Sequence, residues 1–96
     1  MSIRVVAHLS ALPNKIEETK ALLLSVLAPT RKETGCIRYE LHQNNANPQD
    51  LTFIEEWDND AALDAHLQTP HITAALVKVP SLLAGAPDIR RYTLVG

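Results

Sequence analysis

Apolar and polar residues alternate along three stretches of the chain, the pattern of β-strands that bury one face, and a fourth stretch near the end also indicates a strand. Residues 3–10 read IRVVAHLS, and residues 89–95 read IRRYTLV. Between them lie CIRYELHQN and LTFIEEW, which are separated by the turn-forming NANPQD. We therefore predict four strands, the middle two joined as a hairpin with a long loop.

The alternation also predicts which hairpin side chains point inward. Two sets are expected to face the interior: Ile37, Tyr39 and Leu41 on the first hairpin strand, and Leu51, Phe53, Glu55 and Trp57 on the second. The two faces of the last strand are both mixed in polarity, so its orientation stays open.

A first helix is predicted between the first strand and the hairpin, because apolar residues there recur at helical spacing. Asn14 is placed to cap its first N–H groups, and Glu17 then falls at the third helical position. Pro29 should kink or end the helix, and Gly35 can adopt the left-handed conformation that follows a helix end.

Two further helices are predicted after the hairpin. Asp58 or Asn59 can cap the first of them. Its inward stripe comprises Ala62, Leu63, His66 and Leu67. Thr69 followed by Pro70 marks the start of a separate helix, which Pro80 should end.

The predicted order of elements is strand, helix, strand, strand, helix, helix, strand. This is the split βαβ pattern of a ferredoxin-like α+β domain, a four-stranded antiparallel sheet with helices on one face. No linker or repeat divides residues 1–96, so we predict one domain. The opposite face of the sheet is too apolar to be merely solvated, and we expect a second copy of the chain against it, giving a homodimer. That face carries Val6, His8, Arg38, Glu40, His42, Ile54 and Glu56.

Composition narrows the function classes. Apolar residues make up 46% of the chain and charged residues 21%, which is typical of a folded domain. The net charge is −2 with no basic run, so we expect no nucleic-acid partner. The longest apolar stretch, ALLLSVLA, is too short to span a bilayer and no signal-peptide pattern opens the chain, so we expect a cytoplasmic protein.

Neither a cofactor nor a metal is predicted from the motifs. The chain has no Gly-rich phosphate loop and no nucleophile elbow, and Cys36 is its one cysteine, which we interpret as a small core residue. Its four histidines include no His-x-x-x-His pair, and Pro70 separates His66 and His71 onto two helices.

His66 has two interpretations. An imidazole on an apolar helical face is commonly a hydrogen-bonded core residue. The catalytic alternative gains weight because Trp57, Glu55, Tyr39 and His71 are expected nearby. The N-terminus of the last helix should lower the pKa of His71, leaving a neutral imidazole suited to a general base. Trp57 is either core or an aromatic wall with one N–H donor for a substrate.

The segments TGCIRYELHQN, FIEEW, LDAHLQTPH and SLLAG together resemble the antibiotic biosynthesis monooxygenase family. The run AHLQTPH is similar to its quinol monooxygenase branch. The resemblance implies a ferredoxin-like fold that dimerises into an α/β-barrel type assembly, with a pocket between sheet and helices in each subunit. It also implies oxygenation of quinols or polycyclic phenols by O₂, without a metal or flavin cofactor.

The resemblance further assigns roles to individual positions. His66 and His71 are the candidates for the catalytic base or phenol partner, and Trp57 for the ring wall and N–H donor. The predicted substrate-binding residues are Tyr39, Asn44, Phe53 and Glu55.

Two alternatives to a monooxygenase remain open. Within the same family, TPH followed by SLLAG is also similar to an isomerase of a small phosphorylated dione, and other relatives degrade haem. An isomerase needs a cation to hold the phosphate, for which the candidates are Arg38, Lys78, Arg90 and Arg91. The second alternative is a non-catalytic dimeric module that binds an aromatic metabolite.

Overall fold

A computed structural model describes residues 2–96 as a four-stranded antiparallel sheet with helices packed on one face. The strand order in the sheet is β2-β3-β1-β4. The elements are β1 Ile3–Ser10, α1 Ile16–Ser25, α2 Leu27–Arg31, β2 Cys36–Gln43, β3 Asp50–Trp57, α3 Asp60–His66, α4 Pro70–Leu82 and β4 Asp88–Tyr92. The predicted ferredoxin-like α+β fold is confirmed, with the first helix divided in two.

The core lies between the inner face of the central strands and the helices. Val5, Ala7 and Leu9 of β1 are buried at every second position, and β3 alternates in the same way from Leu51 to Trp57. Because strand side chains point to opposite faces in turn, this alternation places one whole face of each strand under the helices. The inward set predicted for β3 is therefore confirmed.

The first helix starts one residue later than predicted and is interrupted near Pro29. Lys15, not Asn14, holds the cap position of α1, and no side chain caps the helix. The break falls at Val26, ahead of Pro29. Pro29 is the third residue of α2, where a backbone N–H has no intrahelical partner, so its missing donor costs little. The expected cap was wrong, whereas the expected interruption by Pro29 is confirmed, because proline disrupts a helix at the carbonyl four residues earlier, here that of Ser25.

Gly35 lies at the turn into β2 and has a φ of +87°. A Cβ at this position would lie 2.7 Å from the Cβ of Ala62 on α3. The predicted left-handed glycine is confirmed, and it also allows the turn to pack closely against α3.

A β-bulge displaces Ile37 from its predicted face. Cys36 pairs with Trp57 and Arg38 with Glu56, so one extra residue lies between them on β2. Ile37 is consequently 52% exposed, whereas Tyr39 is buried as predicted. The bulge shifts the side-chain alternation by one residue, which alternation in the sequence alone does not reveal.

The helices after the hairpin begin as predicted but end differently. Asn59 caps α3, its side-chain oxygen accepting from the backbone N–H of Ala62 at 2.9 Å. Pro80 lies inside α4 and does not end it. The helix end is instead held to the end of β1 by backbone hydrogen bonds, Leu12 N to Leu82 O and Ala84 N to Ser10 O, both 2.8 Å. These tertiary contacts outweigh the loss of one helical hydrogen bond.

The last strand is shorter than predicted, and its orientation is now defined. Ile89 lies opposite Ala7 and Arg91 opposite Val5, so both side chains point to the helical side of the sheet. Arg91 donates to Asp60 at 2.9 Å and to Asp64 at 2.7 Å on α3. Within residues 2–96, no helix combines the length and apolar character needed to cross a membrane.

Candidate active site

A cavity of about 80 Å³ lies between the inner face of the sheet and the helices. Its apolar lining includes Leu9, Leu23, Phe53, Leu63, Ile72 and Val79. Leu76 of α4 and Ile89 of β4 are each 43% exposed and form the rim where the cavity meets solvent. Three of the lining side chains carry polar groups, namely Tyr39, Glu55 and His66. An apolar chamber with a few polar groups is the usual form of a small-molecule site.

His66 is the last residue of α3, and its side chain is 4% exposed. Its Nδ1 lies 2.9 Å from Oε2 of Glu33. Because a carboxylate only accepts hydrogen bonds, Nδ1 carries the proton, and Nε2 of the neutral ring keeps its lone pair. Burial lowers the pKa of His66, although the hydrogen bond and charge of Glu33 act in the opposite direction. A buried, oriented imidazole with one free lone pair is the form that a general base requires.

Glu33 was not predicted as a site residue. It lies between α2 and β2, and its Oε2 is also 2.7 Å from Nε2 of His71. One carboxylate oxygen thus bridges the two imidazoles, whose ring centroids are 6.3 Å apart. The one available signal was the position of Glu33 two residues before Gly35, whose turn brings the segment against α3.

His71 does not line the cavity. It occupies the second position of α4, as predicted, but its side chain is 23% exposed and lies on the far side of Glu33. Of the two histidines predicted as catalytic, the structure brings His66 alone to the cavity. His71 is linked to His66 through the shared carboxylate and through Thr69, whose hydroxyl donates to the backbone oxygen of His66 and lies 3.3 Å from Nε2 of His71.

Trp57 is fully buried and does not line the cavity. Its Nε1 donates to Oε1 of Glu55 at 2.8 Å, and its ring lies behind His66 at a centroid distance of 4.7 Å. In this geometry Trp57 neither lines the cavity nor has a free N–H for a substrate, because the N–H is already used inside the protein. Trp57 supports His66 and Glu55 from behind.

Glu55 lies on the cavity wall and is 4% exposed. Burial raises the pKa of its carboxyl to about 7, and the nearby charge of Glu33 adds to the increase. The hydrogen bond from Trp57 partly offsets both effects. A carboxyl with this pKa can hold or release a proton near neutral pH.

Replacing Glu55 with glutamine should remove a pH-dependent cost to stability. The folded state holds the proton up to about pH 7, so wild-type stability falls as pH rises from the ordinary carboxyl pKa through about 7. Between pH 5 and 8 this one group should cost on the order of 2–3 kcal/mol. Urea unfolding at both pH values should show that Glu55→Gln loses less stability between them than the wild type does. As a control, Glu17→Gln changes a side chain on α1 that is 85% exposed, and it should lose as much stability as the wild type.

Tyr39 and Phe53, both predicted to bind substrate, line the cavity. Their rings stack with centroids 4.9 Å apart, and Tyr39 lies opposite Glu55 across the β2–β3 pairing. Burial, and then the charge of Glu55, raise the pKa of the Tyr39 hydroxyl, which remains protonated. Burial also raises the pKa of Cys36, and its thiol fits the interpretation as a structural residue.

Asn44 does not reach the cavity. It is exposed at the far end of the hairpin, where its Nδ2 donates to Asp50 at 3.1 Å and its Oδ1 accepts from the backbone N–H of Ala46. The structure therefore does not bring Asn44 to this cavity, and its side chain instead shapes the loop between β2 and β3.

The fold and the cavity together define a ferredoxin-like α+β protein with a mostly apolar cavity between its sheet and helices. Residues 2–78 match the family described as antibiotic biosynthesis monooxygenase, and the chain belongs to this family.

Three relatives illustrate the similarity. A Synechocystis protein, sll1783, is 37% identical over 92 residues, a match that covers 96% of this chain but 63% of the relative's length. "Putative monooxygenase Rv0793" of Mycobacterium tuberculosis is 32% identical, covering 84% of this chain and 79% of the relative. The solved structure of Rv0793 superposes with a TM-score of 0.93 over 100% of this chain and 97% of its own. "Probable quinol monooxygenase YgiN" of Escherichia coli is 28% identical, and the match covers 75% of this chain and 79% of the relative.

Proposed function

We propose that this protein is a cofactor-independent monooxygenase that uses O₂ to oxygenate quinols or polycyclic phenols. The observation that carries the proposal is the position of His66, an imidazole on the wall of an apolar cavity with Nδ1 held by Glu33. Family membership supports a monooxygenase, and the name of the Escherichia coli relative supports a quinol substrate.

The proposed reaction begins with removal of a proton from the substrate hydroxyl by Nε2 of His66. The Glu33 carboxylate then stabilises the imidazolium, as a carboxylate does for histidine in other general-base pairs. The resulting quinol anion is rich enough in electrons to reduce O₂ directly. One oxygen atom enters the ring, the other leaves as water, and the substrate supplies all the electrons.

Glu55 and Tyr39 complete the proposed site. The Tyr39 hydroxyl is a donor for a substrate oxygen, and Glu55 can exchange a proton near neutral pH. The apolar remainder of the wall keeps water from the anion. A cavity of about 80 Å³ is smaller than the roughly 150 Å³ that encloses benzene in an engineered cavity, so a bicyclic substrate requires the rim at Leu76 and Ile89 to open.

The alternative isomerase reaction on a phosphorylated dione has less support. None of the four candidate cations for a phosphate lines the cavity. Arg91 pairs with Asp60 and Asp64, and Arg90 with Asp88. Arg38 and Lys78 likewise lie outside the lining. An apolar wall without a cation suits an aromatic ring better than a phosphate.

The test is O₂ consumption by metal-free, flavin-free protein after addition of a reduced naphthoquinol. We expect a rate above that of quinol autoxidation and a hydroxylated quinone as product. Equal rates with and without protein would contradict the proposed substrate class. Absence of turnover with quinols, phosphorylated diones and haem, combined with binding of an aromatic ligand, would favour the non-catalytic module. The mass of the protein in solution would test the homodimer that the family resemblance implies.

A further inference from the structure

Glu33, His66 and His71 bring two imidazoles and one carboxylate together behind the cavity wall. We propose that this His-Glu-His cluster binds a divalent transition-metal ion of the Zn²⁺ class. One ligand atom from each residue lies within 4.8 Å of the other two. The residues come from the turn after α2, the end of α3 and the start of α4, so the tertiary fold assembles a set that no sequence spacing indicates.

The donor atoms decide the class of ion. Imidazole nitrogen suits Zn²⁺, Cu²⁺, Ni²⁺ and Fe²⁺, whereas Mg²⁺ and Ca²⁺ prefer oxygen ligands alone. Two histidines and one glutamate form a known Zn²⁺ ligand set, with a fourth position left for water. The site is sheltered yet reachable, since the side chains of His66, Glu33 and His71 are 4%, 14% and 23% exposed.

The present distances are close to those that a metal needs. Ligand atoms about 2.1 Å from a tetrahedral Zn²⁺ lie roughly 3.4 Å apart. The two imidazole nitrogens are 2.9 and 2.7 Å from Oε2 of Glu33, so these distances must widen by about 0.5 and 0.7 Å. The two nitrogens, which lie within 4.8 Å of each other, must also end roughly 3.4 Å apart, and side-chain rotation would have to supply these changes. The metal would replace the two hydrogen atoms that now lie between the rings and the carboxylate.

Charge provides a separate argument. Among the ion pairs of residues 2–96, Glu33 takes part only in those with His66 and His71. The mostly buried carboxylate therefore has two imidazoles within hydrogen-bond distance, and no arginine or lysine pairs with it. A divalent cation would place a full positive charge beside that carboxylate. The surface pairs His8–Asp50 and His42–Glu40 each offer one imidazole, and their histidine side chains are more than half exposed.

Metal binding has a consequence for the cavity that rests on the proposed function. Coordination through Nδ1 of His66 moves the ring proton to Nε2, which changes that atom from an acceptor to a donor. The metal-bound protein would then lack its base. We therefore expect Zn²⁺ at saturation to reduce quinol-dependent O₂ consumption at least tenfold.

Binding is tested by adding Co²⁺ to the metal-free full chain and recording its visible absorption, followed by displacement with Zn²⁺. We expect a saturable signal at one ion per chain, and at least a tenfold weaker affinity in Glu33→Gln and in His71→Ala. His42→Ala removes an exposed imidazole beside a carboxylate and should bind as wild type does. Nitrogen NMR of wild-type imidazoles provides a check that needs no variant, because Zn²⁺ should shift the coordinated nitrogens of His66 and His71.

Three results would overturn the metal site: no saturable Co²⁺ signal, loss of the signal in His42→Ala with retention in His71→Ala, or unchanged His66 and His71 resonances at saturating Zn²⁺. The outcome is independent of the proposed reaction. Metal binding without quinol turnover by metal-free protein would support the site and contradict the monooxygenase. Quinol turnover without metal binding would support the monooxygenase and contradict the metal site.

Discussion

Replacing His66 with asparagine should lower protein-dependent O₂ consumption with a reduced naphthoquinol by at least about a hundredfold, the lower end of the usual contribution of a general base. The side-chain amide of asparagine can still donate to Glu33 as Nδ1 does, but it has no counterpart of Nε2. The substitution therefore removes the proton acceptor while preserving the hydrogen bond that orients the residue. The loss should appear in kcat, measured with an oxygen electrode at saturating quinol.

Two comparisons make the His66 experiment decisive. His42→Ala, at an exposed position on β2, should retain wild-type activity. His71→Ala should lose less activity than His66→Asn, because His71 does not line the cavity. If His71→Ala were the more damaging change, the base would lie on α4 and the proposed geometry would be wrong. Circular dichroism and urea unfolding should show that the His66 variant is folded at the assay temperature.

The sequence predicted much of the inner face of this site because strand alternation is a local property. Tyr39, Phe53 and Glu55 line the cavity, and the helical spacing of α3 directed His66 toward it. The same alternation did not distinguish a side chain that faces the core from one that faces the cavity. Trp57 points inward but lies behind His66.

One contact behind the cavity wall, the hydrogen bond between Trp57 and Glu55, could have been predicted from the sequence. Glu55 and Trp57 are two residues apart on one strand and therefore share a face. A buried indole N–H next to a buried carboxylate will normally pair with it. The hydrogen bond of 2.8 Å between them leaves Trp57 no donor for a substrate. Intrastrand spacing of two residues thus argues against a free indole N–H, independently of any family resemblance.

Glu33 could not be found in this way, because its contacts depend on tertiary geometry. It is 33 residues from His66 and 38 from His71 in the chain. Glu33 comes close to the two histidines because of the left-handed turn at Gly35 and the packing of that turn against α3. The bulge at Ile37 and the extension of α4 past Pro80 could not be predicted for the same reason. In each of these features, contacts between distant segments override the local pattern.

Replacing Trp57 with phenylalanine should destabilise the fold by about 2–3 kcal/mol at pH 8, since it removes both buried area and a hydrogen bond to a charged group. This is a large part of the 5–15 kcal/mol typical of a domain's stability. The loss should be smaller at pH 5, because Glu55 is then protonated in the folded state. Without the indole donor, the pKa of Glu55 should rise further, which increases the cost of its charged form.

The Trp57 experiment also separates a structural role from a catalytic one. Urea unfolding of Trp57→Phe, Glu55→Gln and the double variant at pH 8 forms a cycle that measures the coupling between the two side chains. We expect the Trp57→Phe change to cost less when residue 55 is glutamine, because a neutral acceptor binds the N–H more weakly than a carboxylate. A variant that kept wild-type stability at both pH values but showed a raised KM for the quinol would place the indole N–H on the substrate. That result would contradict the buried Trp57–Glu55 pair, on which the structural role of Trp57 rests.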